Sequence, residues 1–375
     1  MSRYESCTVV IVPNNAVPTA ADLHPTICGT AQAFPAHTYG QHELAKIACA
    51  MLPGLAEPAA IERFFRRVGV SQRHLALPAE RYTQLRGFGD RNDAWIATAI
   101  PLGQQALERA LDDAGVHASE VSALFTTTVT GIAVPSLDAR LMNRLPLPAS
   151  LKRVPMFGLG CLAGAAGVAR VADYLRAYPD QVAVLLSVEL CSLTVQRDDV
   201  SVANLISTGL FGDGAAAVVL AGAKHPLARK KRPLVRDSLA HFFRDTERTM
   251  GWDVVDGGFK VVLDRDVPAI AREGLPGLVD GLLGRNGLVR NDVTAWVVHP
   301  GGPAVMQATI DGLGLPQSAL AETARALAEV GNLSSASVLC LLDDFRKRVR
   351  PAPGSHGLLI AMGPAFSAEA VLLQW

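Results

Sequence analysis

The sequence predicts a duplicated α/β fold in five layers, αβαβα, and three observations point to it. Apolar stretches alternate with helical patterns, and Gln181–Glu189 is apolar almost throughout, as a strand covered on both faces should be. A segment repeats: Gly115-Val-His-Ala-Ser-Glu-Val-Ser-Ala-Leu-Phe125 matches Gly287-Leu-Val-Arg-Asn-Asp-Val-Thr-Ala-Trp-Val297, from Gly115 to Gly287 an offset of 172. At an offset of 171, Gly160-Cys161-Leu-Ala-Gly-Ala-Ala166 lies over Gly331-Asn332-Leu-Ser-Ser-Ala-Ser337. Duplication gives two sheets that share a central helical layer. Chance similarity of two α/β segments is the competing reading, and recurrence at nearly one offset argues against it.

In order along the chain, residues 1–24 form an irregular arm, broken by Pro13-Asn14-Asn15 and Pro18. The first half, 25–222, opens on a strand over 26–33. Helices follow over 41–52 and 61–68, the second carrying arginines. A long helix over 93–115 starts at a cap on Asn92 or Asp93 and ends at Gly115. Strands over 121–128 and 154–158 lead to a helix headed by Cys161 and running to about Tyr178. The strand over 181–189 comes next, and Phe211-Gly-Asp-Gly then leads into a strand over 215–220. The stretch 223–236 is basic, contains two prolines and reads as the linker. The second half, 237–375, reads as strand, loop, helix (267–283), strand (293–299), helix (303–313), helix (about 332–348) and two final strands.

The composition narrows the function. A chain of 375 residues can bury a large core. Charged residues are 19%, against about 25% for an average soluble domain, and mean hydropathy is +0.23. Both fit a thick layered core or a sizeable subunit interface. Net charge is zero and the isoelectric point is about 7.1, so no general affinity for nucleic acid or anionic membrane is expected. No apolar run reaches the ~18–20 residues that span a bilayer, and Cys7–Pro13 is too short for a secretory signal. The six cysteines show no paired-cysteine or zinc spacing. The expectation is a reduced cytoplasmic protein with most cysteines as small core fillers.

Three residues carry the chemistry. Cys161 heads a helix of small residues, where the positive helix end and free N–H groups favour a thiolate. A buried filler cysteine is the bland alternative. His299 closes an apolar strand before Pro300-Gly301-Gly302-Pro303, at the strand end where functional groups collect in α/β sheets. A lone histidine is more often structural. Asn332 reads as a helix N-cap, and also as a donor to an oxyanion. A thiol, an imidazole and a carboxamide, brought together across a pseudo-two-fold axis, suit acyl-thioester chemistry.

Five motifs then carry a resemblance: Gly158-Leu-Gly-Cys161, Phe211-Gly-Asp-Gly-Ala-Ala216, His299-Pro-Gly-Gly-Pro303, Gly331-Asn332-Leu-Ser-Ser-Ala336 and Gly363-Pro-Ala-Phe366. From about Pro25 onward the chain resembles the type III polyketide synthases, the chalcone synthase-like family of the thiolase fold. The resemblance implies that an acyl-CoA starter loads on Cys161. His299 and Asn332 would hold malonyl-CoA and stabilise its decarboxylated enolate, with neither metal nor redox cofactor. It implies a homodimer. It matches Phe211 to an aromatic gatekeeper and Val261 to a second gatekeeper that is Phe in plant members. It matches Val134 to a residue lent by the neighbouring subunit, and Thr194 and Ser334 to cavity-lining positions. Gly363, Pro364 and Phe366 match a loop that shapes cyclisation, with Ala365 in place of a glycine. Arg63 and Arg66 match contacts to the CoA phosphates. A third basic position falls on Val70, leaving Arg67 or Arg73 as substitutes.

The modest Val261 and Val134 make a long fatty acyl starter the expectation, with an alkylpyrone or alkylresorcinol product. An aromatic-starter or malonyl-only synthase, a ketoacyl synthase of the type that starts fatty acid synthesis, and an inactive thiolase-like scaffold stay open.

Overall fold

The computed structural model describes residues 23–375 apart from 53, 55 and 230–232. The irregular arm therefore lies outside the described residues except for its last two, and so does Cys7. The first half runs β1 (Thr26–Ala33), β2 (His37–Gly40), α1 (Gln41–Met51), α2 (Pro58–Arg67), β3 (Gln72–Leu75), α3 (Phe88–Ala114), β4 (Val121–Thr128), α4 (Leu137–Met142), β5 (Lys152–Phe157), α5 (Ala163–Ala177), β6 (Val182–Leu190), α6 (Val202–Leu210) and β7 (Asp213–Ala221). The second runs β8 (Leu234–Phe242), β9 (Met250–Val255), β10 (Gly258–Leu263), α7 (Val267–Arg285), β11 (Val293–Val298), α8 (Pro303–Leu313), α9 (Ala321–Val330), α10 (Ser335–Asp344), β12 (His356–Gly363) and β13 (Ser367–Gln374).

Nine strands form one ribbon in the order β11-β12-β13-β8-β1-β7-β6-β4-β5. Its two sheets meet where β1 touches β8 through the single pair Thr26 and Leu234. Side-chain alternation then sorts the layers. Ala215, Ala217 and Val219 of β7 face a core shared with α1 and α3, whereas Ala216, Val218 and Leu220 face the centre. Likewise Val297 of β11 points to the centre, and Trp296 and Val298 point to a third core with α7 and α8. The central layer is α5 against α10. A Cβ on Gly164 would lie 2.4 Å from the Ser335 carbonyl oxygen, so only glycine lets these helices touch there. These are the five layers expected.

The repeat holds in detail. Gly115 and Gly287 both end helices with positive φ, 71° and 68°. Glu120 accepts from the His117 N–H, and Asp292 from the Val289 N–H, each at 2.8 Å.

Some elements differ from expectation. α3 begins at Phe88, because Asn92 uses its side chain elsewhere: its amide pairs with both backbone groups of Ile132 at 2.8 Å. Cys161 sits in a 3₁₀ turn, Gly160–Leu162, ahead of α5 rather than inside it. A hairpin, β9–β10, occupies the expected loop, turning on Asp256-Gly257, a dipeptide that favours tight hairpins. α4, α6 and α9 are additional to the expected helices, and Ser201 caps α6 through the Asn204 N–H.

Candidate active site

The turn before α10 gathers the three chemical residues. Asn332 is 2% exposed, and its side-chain oxygen accepts from the Ser334 N–H at 2.8 Å. The amide NH₂ therefore points the other way, to His299 Nε2 at 3.5 Å. Which ring nitrogen carries the proton depends on the tautomer, and the buried Nδ1 has no hydrogen-bond partner among the described residues. Cys161 approaches the same turn from the first half, with its thiol 3.5 Å from Ser334 Oγ. Ser334 thus links Cys161 to Asn332, and Asn332 to His299. The ends of two repeats converge as the duplication implied.

Ser334 stands at φ 50°, ψ −128°, backbone that glycine favours. The capping role expected of Asn332 takes a modified form: Ser334 holds the cap position, and Asn332 satisfies its N–H. His299 follows β11 and is 3% exposed, its N–H donating to the Ile360 carbonyl at 2.8 Å.

The electrostatics correct one expectation. Burial pushes the Cys161 thiol up to about 12; the Ser334 hydrogen bond opposes this, and the nearby Glu189 carboxyl adds to it. Burial pushes His299 down to about 4. Both shifts run against the thiolate expected of Cys161 from its place at a helix start. Sequence reading missed Glu189 altogether. It is fully buried at the end of β6 and accepts from the Val129 N–H at 3.0 Å, Thr130 Oγ1 at 2.9 Å and Ser335 Oγ. Burial raises its pKa as well, against those hydrogen bonds. It ties the Cys161 surroundings to the loop after β4.

A cleft of about 310 Å³ borders the Cys161 turn, walled by Phe157, Gly158, Trp252, Phe259, Pro364 and Ala365. Gly363 lets the floor close in: a Cβ there would meet the Leu159 carbonyl oxygen and Leu162 Cβ at 2.6 Å. Ala365, standing for a glycine, is held at φ 52°. Phe366 turns away, fully buried edge-on to Phe243 with ring centroids 5.3 Å apart. Val261 pairs with Trp252 across the hairpin, so both side chains share one face. Thr194 is buried with its hydroxyl on the Cys191 carbonyl, and Gln196 staples that segment to the hairpin through the Gly257 and Phe259 carbonyls at 3.3 Å.

Phe211 caps α6 and lines a smaller apolar pocket with Met51, Val195 and Cys191. Arg63, Arg66 and Arg67 lie exposed on α2, whose Phe64 packs on Gly209 just before Phe211. Arg73 is no substitute for a surface cation: it is 4% exposed with its donors turned inward. Val134 is 90% exposed, next to exposed Ile132 and Phe157.

Two family models match this chain: the N-terminal domain of chalcone and stilbene synthases over residues 66–224, and their C-terminal domain over 235–375. A 1,3,6,8-tetrahydroxynaphthalene synthase from Streptomyces peucetius subsp. caesius is 47% identical over 95% of both chains. The chain belongs to the chalcone and stilbene synthase family. The 1,3,6,8-tetrahydroxynaphthalene synthase of Streptomyces coelicolor A3(2), a bacterial type III polyketide synthase, superposes with a TM-score of 0.87 at 30% identity, covering 93% of this chain and 99% of that one. The brown-algal PKS-I of Ectocarpus siliculosus gives 0.88 at 27%, covering 95% and 100%. This type III polyketide synthase therefore has the thiolase-like fold. It catalyses decarboxylative condensation of CoA thioesters, and the family needs no cofactor beyond them.

Proposed function

We propose that Cys161 carries the growing chain, and that His299 and Asn332 hold the malonyl thioester oxygen on which charge develops. The fixed amide of Asn332 supports this most: Ser334 occupies its oxygen, so its N–H groups face the His299 ring. Loading begins when the Cys161 proton passes to His299 and the thiolate attacks the acyl-CoA carbonyl, expelling CoA, which leaves as the thiol with that proton. Malonyl-CoA then sheds CO₂, and the electrons of the broken C–C bond form an enolate whose oxygen faces Asn332 and His299. Its carbon attacks the acyl thioester and releases the Cys161 thiolate. Phe211 and the α2 arginines Arg63 and Arg66 stand toward the path by which CoA enters, with guanidinium suited to phosphate.

The product reading shifts from the long-chain expectation to a compact polyhydroxylated aromatic built from malonyl units. Trp252, the hairpin partner of Val261, puts aromatic bulk in the cleft wall, which Val262 rather than Val261 lines. The relative at 47% identity is named for tetrahydroxynaphthalene, a ten-carbon skeleton equal to five two-carbon units. The apolar pocket behind Phe211 and Cys191 favours the second reading, a long acyl starter giving an alkylpyrone or alkylresorcinol. Its space is about 70 Å³, small beside the roughly 300–1,000 Å³ of sites for drug-sized ligands. The exposed Ile132, Val134 and Phe157 support a homodimer in which Val134 meets the second copy. Cys49, Cys161, Cys191 and Cys340 are free thiols, in keeping with the reducing cytoplasm where we place the enzyme.

Supplying malonyl-CoA alone tests the product. An aromatic product carrying malonyl label throughout is expected. No product until a long acyl-CoA is added would favour the second reading.

A further inference from the structure

Arg73, on β3, is a buried cation with unusual partners. Its Nη1 donates to the carbonyls of Thr208 and Phe211, both at 2.7 Å, and its Nε donates to Gln41 Oε1 at 3.2 Å. Gln41 in turn donates to the Gly209 carbonyl at 2.7 Å. These are carbonyls at the end of α6, which the helix itself leaves without partners. A guanidinium at this end also meets the negative pole of the helix. The nearby Asp213 carboxylate is already engaged by the N–H groups of Ala76 and Ser192.

The clamped segment touches the reacting groups. The Asn332 N–H donates to the Leu210 carbonyl, and the Gly212 N–H to the Asn332 carbonyl, both at 2.9 Å. Phe211 and Asn332 therefore form one bridge between the halves. The stem of Arg73 also packs on Gly331, the residue before Asn332: a Cβ on that glycine would lie 3.0 Å from Arg73 Cδ. One side chain thus braces the bridge from below and beside.

The geometry points to Arg73 as a positioning residue that sets Asn332 for the decarboxylation step while leaving the loading of Cys161 alone. The inference rests on the reading that Asn332 donates to the malonyl oxygen. Lysine cannot replace arginine here, because one ammonium lacks the planar fork that reaches two carbonyls and Gln41 together. A displacement of about 1 Å at a reacting group costs roughly a hundredfold, so Arg73→Lys is expected to slow decarboxylation by about 10- to 100-fold.

The test measures CO₂ release from malonyl-CoA and acyl transfer to Cys161 in Arg73→Lys, Asn332→Ala and the double variant. Arg73→Lys should lose decarboxylation in kcat more than in KM and load within about twofold of wild type. If Arg73 acts through Asn332, the double variant should be no slower than Asn332→Ala. Losses that multiply would overturn the inference, as would equal loss of loading and decarboxylation. Should Asn332→Ala decarboxylate at the wild-type rate, the reading of Asn332 fails first and the role of Arg73 goes with it. If instead Asn332→Ala is impaired and Arg73→Lys is not, only the positioning role fails. Gln41→Met leaves the buried charge in place and repeats the test if Arg73→Lys does not fold. About 3- to 10-fold slower decarboxylation with normal loading is then expected, and an unchanged rate would overturn the inference.

Discussion

Replacing Trp252 by alanine should remove a size filter. Trp252 walls the 310 Å³ cleft and lies across the hairpin from Val261, where cross-strand Cβ atoms sit about 4.5–5.5 Å apart. A starter too large for such a site pays an overpacking cost of about 1–3 kcal/mol. At 1.36 kcal/mol per decade that amounts to roughly 5- to 150-fold in relative rate. Trp252→Ala should raise kcat/KM for long acyl-CoAs relative to short ones by a factor in that range. Val261→Phe should move the ratio the opposite way, and the double variant should return toward wild type. Trp252 is only partly buried, so its truncation should destabilise by less than the ~3–5 kcal/mol of a core tryptophan. The assay is kcat/KM from butyryl- to palmitoyl-CoA in the four proteins. One long-to-short ratio shared by all four would refute the hairpin as the wall that limits size.

Other consequences follow from the same geometry. Ser334→Gly relieves a backbone conformation that costs on the order of 1–3 kcal/mol in a residue with a Cβ, so Tm should rise, by about 1–3 °C. The same change removes the hydroxyl that lowers the Cys161 pKa, so alkylation of Cys161 at fixed pH should slow; faster alkylation would contradict that role. With the thiol near 12 and His299 near 4, iodoacetamide labelling of Cys161 should climb about tenfold per pH unit between 7 and 10. A plateau near pH 6 would instead show an ion pair with His299.

Much of this was legible in the sequence. The β1 and β4 spans, the glycine-ended helices and the Cys161–Asn332 equivalence follow from periodicity and from one repeat. Each of these is local, or local twice over. The Asp256-Gly257 turn was also legible, since that dipeptide between apolar runs signals a hairpin. What stayed hidden is set by partners distant in sequence. Glu189 looks like the polar end of an apolar strand until Val129, Thr130 and Ser335 surround it. Arg73 reads as one more basic residue after a basic helix, and only the fold turns it toward α6. Trp252 gains meaning from its register with Val261, which no spacing announces. The thiolate expected of Cys161 came from its place at a helix start. The structure puts it in the turn before that helix, where burial and the Glu189 carboxyl push the thiol pKa up.

The central claim is that the chain grows on Cys161. Its most direct test is to mix the enzyme with an acyl-CoA that it accepts, quench within the first turnover, and map the acyl group by peptide mass. The acyl mass should sit on the peptide holding Gly160-Cys161-Leu162, and Cys161→Ala should carry none and make no polyketide while keeping the wild-type fold. Acyl mass on Cys191 or another residue, or product at near wild-type rate from Cys161→Ala, would contradict the account.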